Sequence, residues 1–564
     1  MSHLNWKAFA CLTAWLPAVS GGATAADVVV RQFTSGSGQN AVGIIDASED
    51  TEIGGPQALT AGDDGSLFLL DQINNRILRF DPKDPGGQPR VLGLPQELQP
   101  TDLVVRQNSF LVWDGAIHTL QPVGADAPSF RGLEEVNTRA VDDAFATSAF
   151  AQMGSQNPGS EIDLLDANTR AVQSRKARAR SRQYVASRGG GSVVIDVVPE
   201  KGEAGVQIEV RHHGVMEAAP LARLRLRVRE RLGAVEFLEI DYSGRMFVFA
   251  ENIPPVAANA AAFVARFSAS GALEGIYELP LSNVPLSRRF VTVSGDGDVY
   301  FLRTGPGAVD VLGVGFRAIA RDKAIDTRPS VSSAIPSRLG KGPITAIRPL
   351  TRQQAIETAF AFEGIQWKLT PSAYGRDPDT ACTGFNGRVR RPTYLHSKLG
   401  QEVRGVPYCW GCHGSLDQIR AKIARGTMAG NICTRNAPRN DVTGVDCSAF
   451  VSAAWGLSRH FTTAVIPTIA SPLSNAWDLR PGDALNKPGS HVMLFLRFTP
   501  DRKVEVMEAS PGACNGRVCR NVYPLASLLA RGYAPMRFRA LANVASVVAM
   551  APSETPKAKA KRRR

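Results

Sequence analysis

Cys447 sits in the run DVTGVDCSAFVSAAWGLSRHF, where Asp441, Gly444 and Asp446 precede it and FVSAAWGL follows with apolar residues three and four apart. That spacing predicts a helix beginning at Cys447. Backbone N–H groups and the helix dipole at such a position favour thiolate over thiol, so the expectation is a lowered pKa and a nucleophile ready at neutral pH. Further on, LRPGDALNKPGSHVMLFLRF reads as a turn and loop followed by an alternating strand that starts at His491. A histidine at a strand edge can turn its ring to a thiolate on a neighbouring helix end and serve as base and ion-pair partner. The next strand, KVEVMEASP, brings Glu508, which could bond the far ring nitrogen and fix the tautomer; an ordinary surface carboxylate is an equal reading. Together these types support acyl transfer through a thioester, which needs no metal or cofactor. The plainer alternatives are a buried structural cysteine and an unremarkable histidine.

Cysteine placement supports the first reading. Apart from Cys11, the cysteines are Cys382, Cys409, Cys412, Cys433, Cys447, Cys514 and Cys519, all in the last third of the chain. In an oxidising compartment six can pair and one stays a free thiol, which calls for a role such as catalysis. Cys514 and Cys519 could close a local hairpin, whereas the other pairings stay open. CWGCH, Cys409 to His413, formally matches the Cys-x-x-Cys-His signature of covalent c-type haem attachment. A redox dithiol, or a zinc site with Cys433 and His413, are further readings, and structural disulfides are the blandest.

Two kinds of element must position these residues. From about 30 to 320 the chain has short apolar runs with strand-like alternation, and a turn-plus-strand unit recurs: DDGSLFLLD, QNSFLVWDG, GGGSVVIDVV, DYSGRMFVFAE and GDGDVYFLR. Their spacing is about 45 to 50 residues once a copy near 150 is allowed, which suits four-stranded propeller blades, six in number. RILRFD and FVARFSASG read as the following strand of two blades. The region loosely resembles six-bladed propellers of the NHL type; a β-sandwich or a pair of smaller β domains is the alternative. Residues 130–185, rich in Ala, Arg and Gln, fit worst and read as an insertion. LARLRLRVRER places Arg223, Arg225, Arg227 and Arg229 on one face of a strand, either a charged edge that resists aggregation or a surface for an anionic polymer. Residues 321–349 have linker composition. After them TRQQAIETAFAFEGIQWKLT has helical spacing and opens a second domain, 350–545.

The first 26 residues have a lysine, the apolar run AFACLTAWLPAV and a small-residue stretch, the layout of a cleavable signal peptide. The run holds about a dozen residues against the roughly 20 needed to cross a bilayer, so the mature chain is expected to lack a transmembrane segment and to be periplasmic or extracellular. Of the formal charge of +13, a net +5 sits in PSETPKAKAKRRR, so 546–564 is expected to be a disordered basic tail. Anionic envelope polymers are the expected partners of such charge, and export argues against nucleic acid.

Four motifs in order resemble the NlpC/p-sixty family of cell-wall cysteine peptidases: GVPYCWGC for Tyr-x-Trp-Gly-Gly, VDCSAF for Asp-Cys-Ser-Gly-Phe, LRPGDAL for Leu-x-Pro-Gly-Asp-Leu, and SHVMLFL for Ser-His-Val-Gly-Ile-Tyr. The resemblance implies a papain-like α+β fold and hydrolysis of peptidoglycan stem peptides. It makes Cys447 the nucleophile, His491 the base and Tyr408 a residue lining the thiolate or oxyanion side. It also puts Asp446 and Ser448 in a pocket that in some members holds the free amine of the stem peptide. Ala449 and Met493 stand where glycine is common, and Glu508 where histidine is more usual. The expectation is therefore a multidomain chain, an all-β propeller followed by an α+β papain-like peptidase domain. A non-catalytic envelope-binding protein and a c-type haem protein through Cys409, Cys412 and His413 are the competing functions.

Overall fold

Each recurring apolar segment forms the second strand of a four- or five-stranded sheet: Leu67–Asp71, Ser109–Trp113, Ser192–Pro199, Met246–Asn252 and Val299–Gly305. The computed structural model describes residues 25–106, 109–114, 117–122, 130–135, 181–186, 192–212, 219–255, 260–281, 289–320, 323–327, 350–375, 390–434 and 441–542. Nearly all of the expected signal peptide, the stretch 136–180, most of the expected linker and the whole basic tail lie outside the described residues. RILRF and the strand Ala261–Phe267 are third strands, so equivalent sequence occupies equivalent positions. Gly65 and Gly244, in the turns before two second strands, have φ of 82° and 75°, the left-handed region where a Cβ is costly.

The first strands of the sheets pack side by side. Ala58–Ala61 lies between Val291–Val293 and Asp102–Arg106, and Leu232–Ile240 lies between Ser181–Ala186 and Val291–Val293. Sheets arranged around their first strands make a β-propeller-like body. The N-terminal strand Val28–Ser35 completes the last sheet by pairing with Ala308–Gly313. Five such sheets occur among the described residues; the copy allowed near 150 lies outside them. Arg223, Arg225 and Arg227 fall on Ala222–Arg227, an edge strand with alternating buried and exposed residues, whereas Arg229 lies beyond its end and pairs with Asp326. Arg225 and Arg227 pair with Glu200 and Arg223 with Glu209, so the charges sit on their own sheet's acids.

From residue 350 the chain is α+β. The helix Arg352–Gly364 is capped by Thr351 and Gln354 in a reciprocal box. A six-stranded antiparallel sheet has the order Ala470–Pro472, Ala534–Phe538, Ala484–Lys487, His491–Phe498, Val504–Ser510, Arg517–Tyr523. One face, with Val492, Leu494 and Leu496, packs on the helix Cys447–Ala454. The opposite face, with Met493, Phe495, Val504 and Val506, joins one apolar cluster with propeller residues such as Phe249, Val264 and Phe301. The helix Leu525–Ala530 lies in the same seam, where Glu251 of the propeller accepts the Ala526 N–H at 2.6 Å and the Ala234 N–H at 2.9 Å. Lys503, buried, meets Glu236 at 2.5 Å, and Arg231 stacks over Trp477 at 4.3 Å. No helix among the described residues is long and apolar enough to cross a membrane.

Candidate active site

Asp446 is the N-cap of the helix Cys447–Ala454, its Oδ1 accepting the Ala449 N–H at 2.7 Å, so the helix does begin at Cys447. Its Oδ2 accepts the Gly411 N–H at 3.1 Å and ties the helix start to the CWGC segment. Cys447 is fully buried and is the free thiol among the described residues. Cys409 pairs with Cys412 and Cys514 with Cys519, and Cys433 is also disulfide-bonded. The two sulfurs of the haem-like reading and the three of the zinc-like one are therefore in disulfides, and His413 stacks on His460 with ring centroids 5.8 Å apart.

His491 opens its strand as expected, and its Nε2 lies 2.7 Å from Glu508 Oε2, both side chains buried. Glu508 Oε1 accepts Asn521 Nδ2 and Tyr523 Oη, each at 2.7 Å. Burial alone would raise this carboxyl, but His491, with Tyr523 and Asn521, holds it below its ordinary value. By strand alternation His491 shares the propeller-facing side of the sheet with Met493, whereas the helix Cys447–Ala454 packs on the other side. Helix and strand pack directly on each other, Cys447 sharing one apolar cluster with Val492 and Leu494.

The expected lowering of the thiol pKa is not what this structure holds. Burial pushes the Cys447 thiol well up, the charges of Asp446 and Asp50 add to it, and the N–H groups of Val492 and Ser448 do not offset them. The reason is a loop of the propeller seated in the cleft. Ser48 and Thr51 exchange backbone hydrogen bonds of 2.9 and 3.0 Å around a tip of Glu49 and Asp50. The Asp50 carbonyl oxygen accepts from Cys447 Sγ at 3.2 Å. The Asp50 carboxylate accepts from Ser448 Oγ at 2.8 Å, from the Thr463 N–H at 2.9 Å and from the Thr463 hydroxyl. Thr51 Oγ1 meets Tyr408 Oη at 2.7 Å, and Trp410 Nε1 donates to the Glu49 carbonyl at 2.8 Å. Glu52 is bound by Lys487 at 2.7 Å, Tyr533 Oη at 2.7 Å and Arg531.

The six residues singled out from sequence fall in two groups. Cys447, Tyr408, Asp446 and Ser448 line the side toward Asp50, and His491 and Glu508 lie on the adjoining strands. Sequence reasoning passed over His460, Thr463, Lys487, Arg531 and Tyr533, and above all the loop itself. His460 lies thirteen residues after Cys447 in sequence; its Nε2 is 2.6 Å from Ser448 Oγ and 3.5 Å from Asp446 Oδ1, and burial lowers its pKa.

Burial, with Asp50 beside it, lifts Asp446 to about 7, and burial lifts Glu251 in the seam to about 7 as well. For both, the native state holds the proton more tightly than the unfolded chain, so their contribution is complete below about pH 4 and is lost as pH rises through about 7. Burial would also raise Glu52, but Arg531 and Lys487 hold it at about 2, so its contribution is lost as pH falls from about 4.5 towards 2. Thermal unfolding scanned by pH is therefore expected to give a maximum near about pH 5 and a decline towards pH 8. Asp446→Asn, which can still cap the helix, should reduce that decline; an unchanged slope would mean Asp446 is not the group responsible.

No family model matches the chain, and no curated protein matches it. Among solved structures it is similar to a streptogramin B lyase (11% identity, TM-score 0.21, covering 48% of this chain and 96% of that one). It is also similar to a luciferin-regenerating enzyme (9% identity, TM-score 0.21, 49% of this chain and 96% of that one). The likeness is to β-propeller-like proteins and carries nothing about chemistry.

Proposed function

We propose that the chain is an exported cysteine peptidase or amidase that hydrolyses amide bonds in peptidoglycan stem peptides. The observation that carries the reading is the buried pair of His491 Nε2 and Glu508 Oε2 at 2.7 Å, on a strand against which packs the helix that begins at the free thiol of Cys447. The motif resemblance supplies the substrate class and the papain-like, NlpC-type reading of 350–545.

In the cycle, Cys447 Sγ gives up its proton to His491 and attacks the substrate carbonyl carbon. Backbone donors at the helix start hold the oxyanion, and His491 returns the proton to the leaving amine. Water, deprotonated by His491, then breaks the thioester and releases the acid and the free thiol. Glu508 keeps the imidazole in one tautomer and orientation. The propeller positions the substrate or binds anionic envelope polymers.

The test is mass spectrometry of muropeptides after incubating peptidoglycan with the chain and with Cys447→Ala. New stem-peptide fragments or lost cross-links only with the intact thiol are expected. Identical digests across several peptidoglycan types would reject the reading and favour a non-catalytic envelope-binding protein, the second reading, to which the filled cleft lends weight.

A further inference from the structure

Asp50 and Glu52 come from a polar surface loop, yet both carboxylates are buried on partners contributed by the other half of the chain. The loop crosses the nucleophile as a peptide ligand would. The Asp50 carbonyl oxygen lies at Cys447 Sγ, its side chain lies in a pocket of Ser448 and Thr463, and Glu52, two residues beyond, lies in a pocket of Lys487, Arg531 and Tyr533. Donors converge on both carboxylates. Asp50 itself has φ of 57°, an uncommon conformation for a residue with a side chain, and such conformations persist where surrounding contacts impose them.

We propose that this groove is a binding site for acidic peptides, reading one carboxylate on the acyl side of the bond at Cys447 and a second two residues after it. The Ser48–Glu52 loop is its resident pseudosubstrate. The substrate class is a peptide carrying acidic groups at those two places, and such a ligand displaces the loop. This deepens the proposed function and rests on Cys447 being its nucleophile.

The loop's own geometry explains why it inhibits rather than reacts. The Thr51 N–H is held by the Ser48 carbonyl at 3.0 Å within the turn, and the Ser48 N–H holds the Thr51 carbonyl at 2.9 Å. Were Sγ to form a thioester with the Asp50 carbonyl carbon, the Thr51 amine released would stay beside it and re-form the amide. An open-chain ligand lacks that tether, so its amine departs. The buried Met493, where the resembling family commonly has glycine, fills the seam that brings the propeller and its loop to the cleft.

The experiment is the rate of iodoacetamide alkylation at Cys447, resolved by mass spectrometry on the full chain. Breaking the buried charge contacts with Asp50→Asn/Glu52→Gln should speed alkylation at least about tenfold, with circular dichroism unchanged. A synthetic peptide of residues 46–54, DASEDTEIG, should restore protection to that variant, and the same peptide with Asn and Gln at the two positions should not. Equal rates for parent and variant, or equal protection by both peptides, would overturn the proposal. If the variant opens and the acidic peptide protects it, yet peptidoglycan stays uncut, the groove stands and the peptidase reading fails.

Discussion

Glu508→Gln is expected, on the proposed peptidase function, to lower kcat for stem-peptide hydrolysis by about 10³ to 10⁴-fold while leaving the fold intact. The carboxylate now accepts from three sides: His491 at Oε2, and Asn521 and Tyr523 at Oε1. An amide offers one acceptor and one donor. With its NH2 towards His491, it forces Nε2 to accept, which moves the ring proton to Nδ1 and removes the base that must face Cys447. With its NH2 towards Asn521, two donors meet in a buried site. Either arrangement damages the base while changing side-chain volume little. The assay belongs in both the parent and the Asp50→Asn/Glu52→Gln background, so that loop release does not hide chemistry. A loss below about tenfold would make Glu508 a packing residue and leave His491 to act without it.

A chain begun at residue 345 is expected not to fold as a soluble monomer. The sheet that carries His491 and Glu508 has two covered faces, and one of them is covered by the propeller. Removing it would bare Met493, Phe495, Val504, Val506 and Leu528, each of which is at most 1% exposed in the whole chain. Full burial of such side chains is worth about 1.5 to 3 kcal/mol each, comparable in sum to a domain's whole stability. Lys503 would also lose Glu236, and the Ala526 N–H would lose Glu251. Aggregation, dye binding to exposed apolar surface and a broad unfolding transition are the expected results by size-exclusion, fluorescence and calorimetry. A monodisperse fragment that unfolds cooperatively would show instead that the seam is dispensable.

The blade strands were legible because a turn followed by alternating apolar residues is a local pattern, and each copy became the second strand of its sheet. The start of the helix at Cys447 was equally legible, since Asp446 caps it from the adjacent position. Cys514 and Cys519 are close enough in sequence for their pairing to be read as a local closure. The orientation of Glu508 was open from sequence, because an alternating strand says which residues share a face and not which partner occupies that face. The lowered thiol pKa expected of Cys447 reflected only its helix position; burial and two nearby carboxylates, one from a distant loop, reverse it.

The sequence by itself therefore determined the secondary elements, the capped cysteine, the strand-edge histidine and the repeated sheets, because each rests on spacing within a few residues. Only the tertiary structure decided what fills the cleft. Asp50 and Cys447 are 397 positions apart, and DASEDTE reads as an ordinary polar surface loop until the seam folds it over the helix start. Burial, charge pairing and access at Cys447 are properties of that docking, which no local pattern encodes.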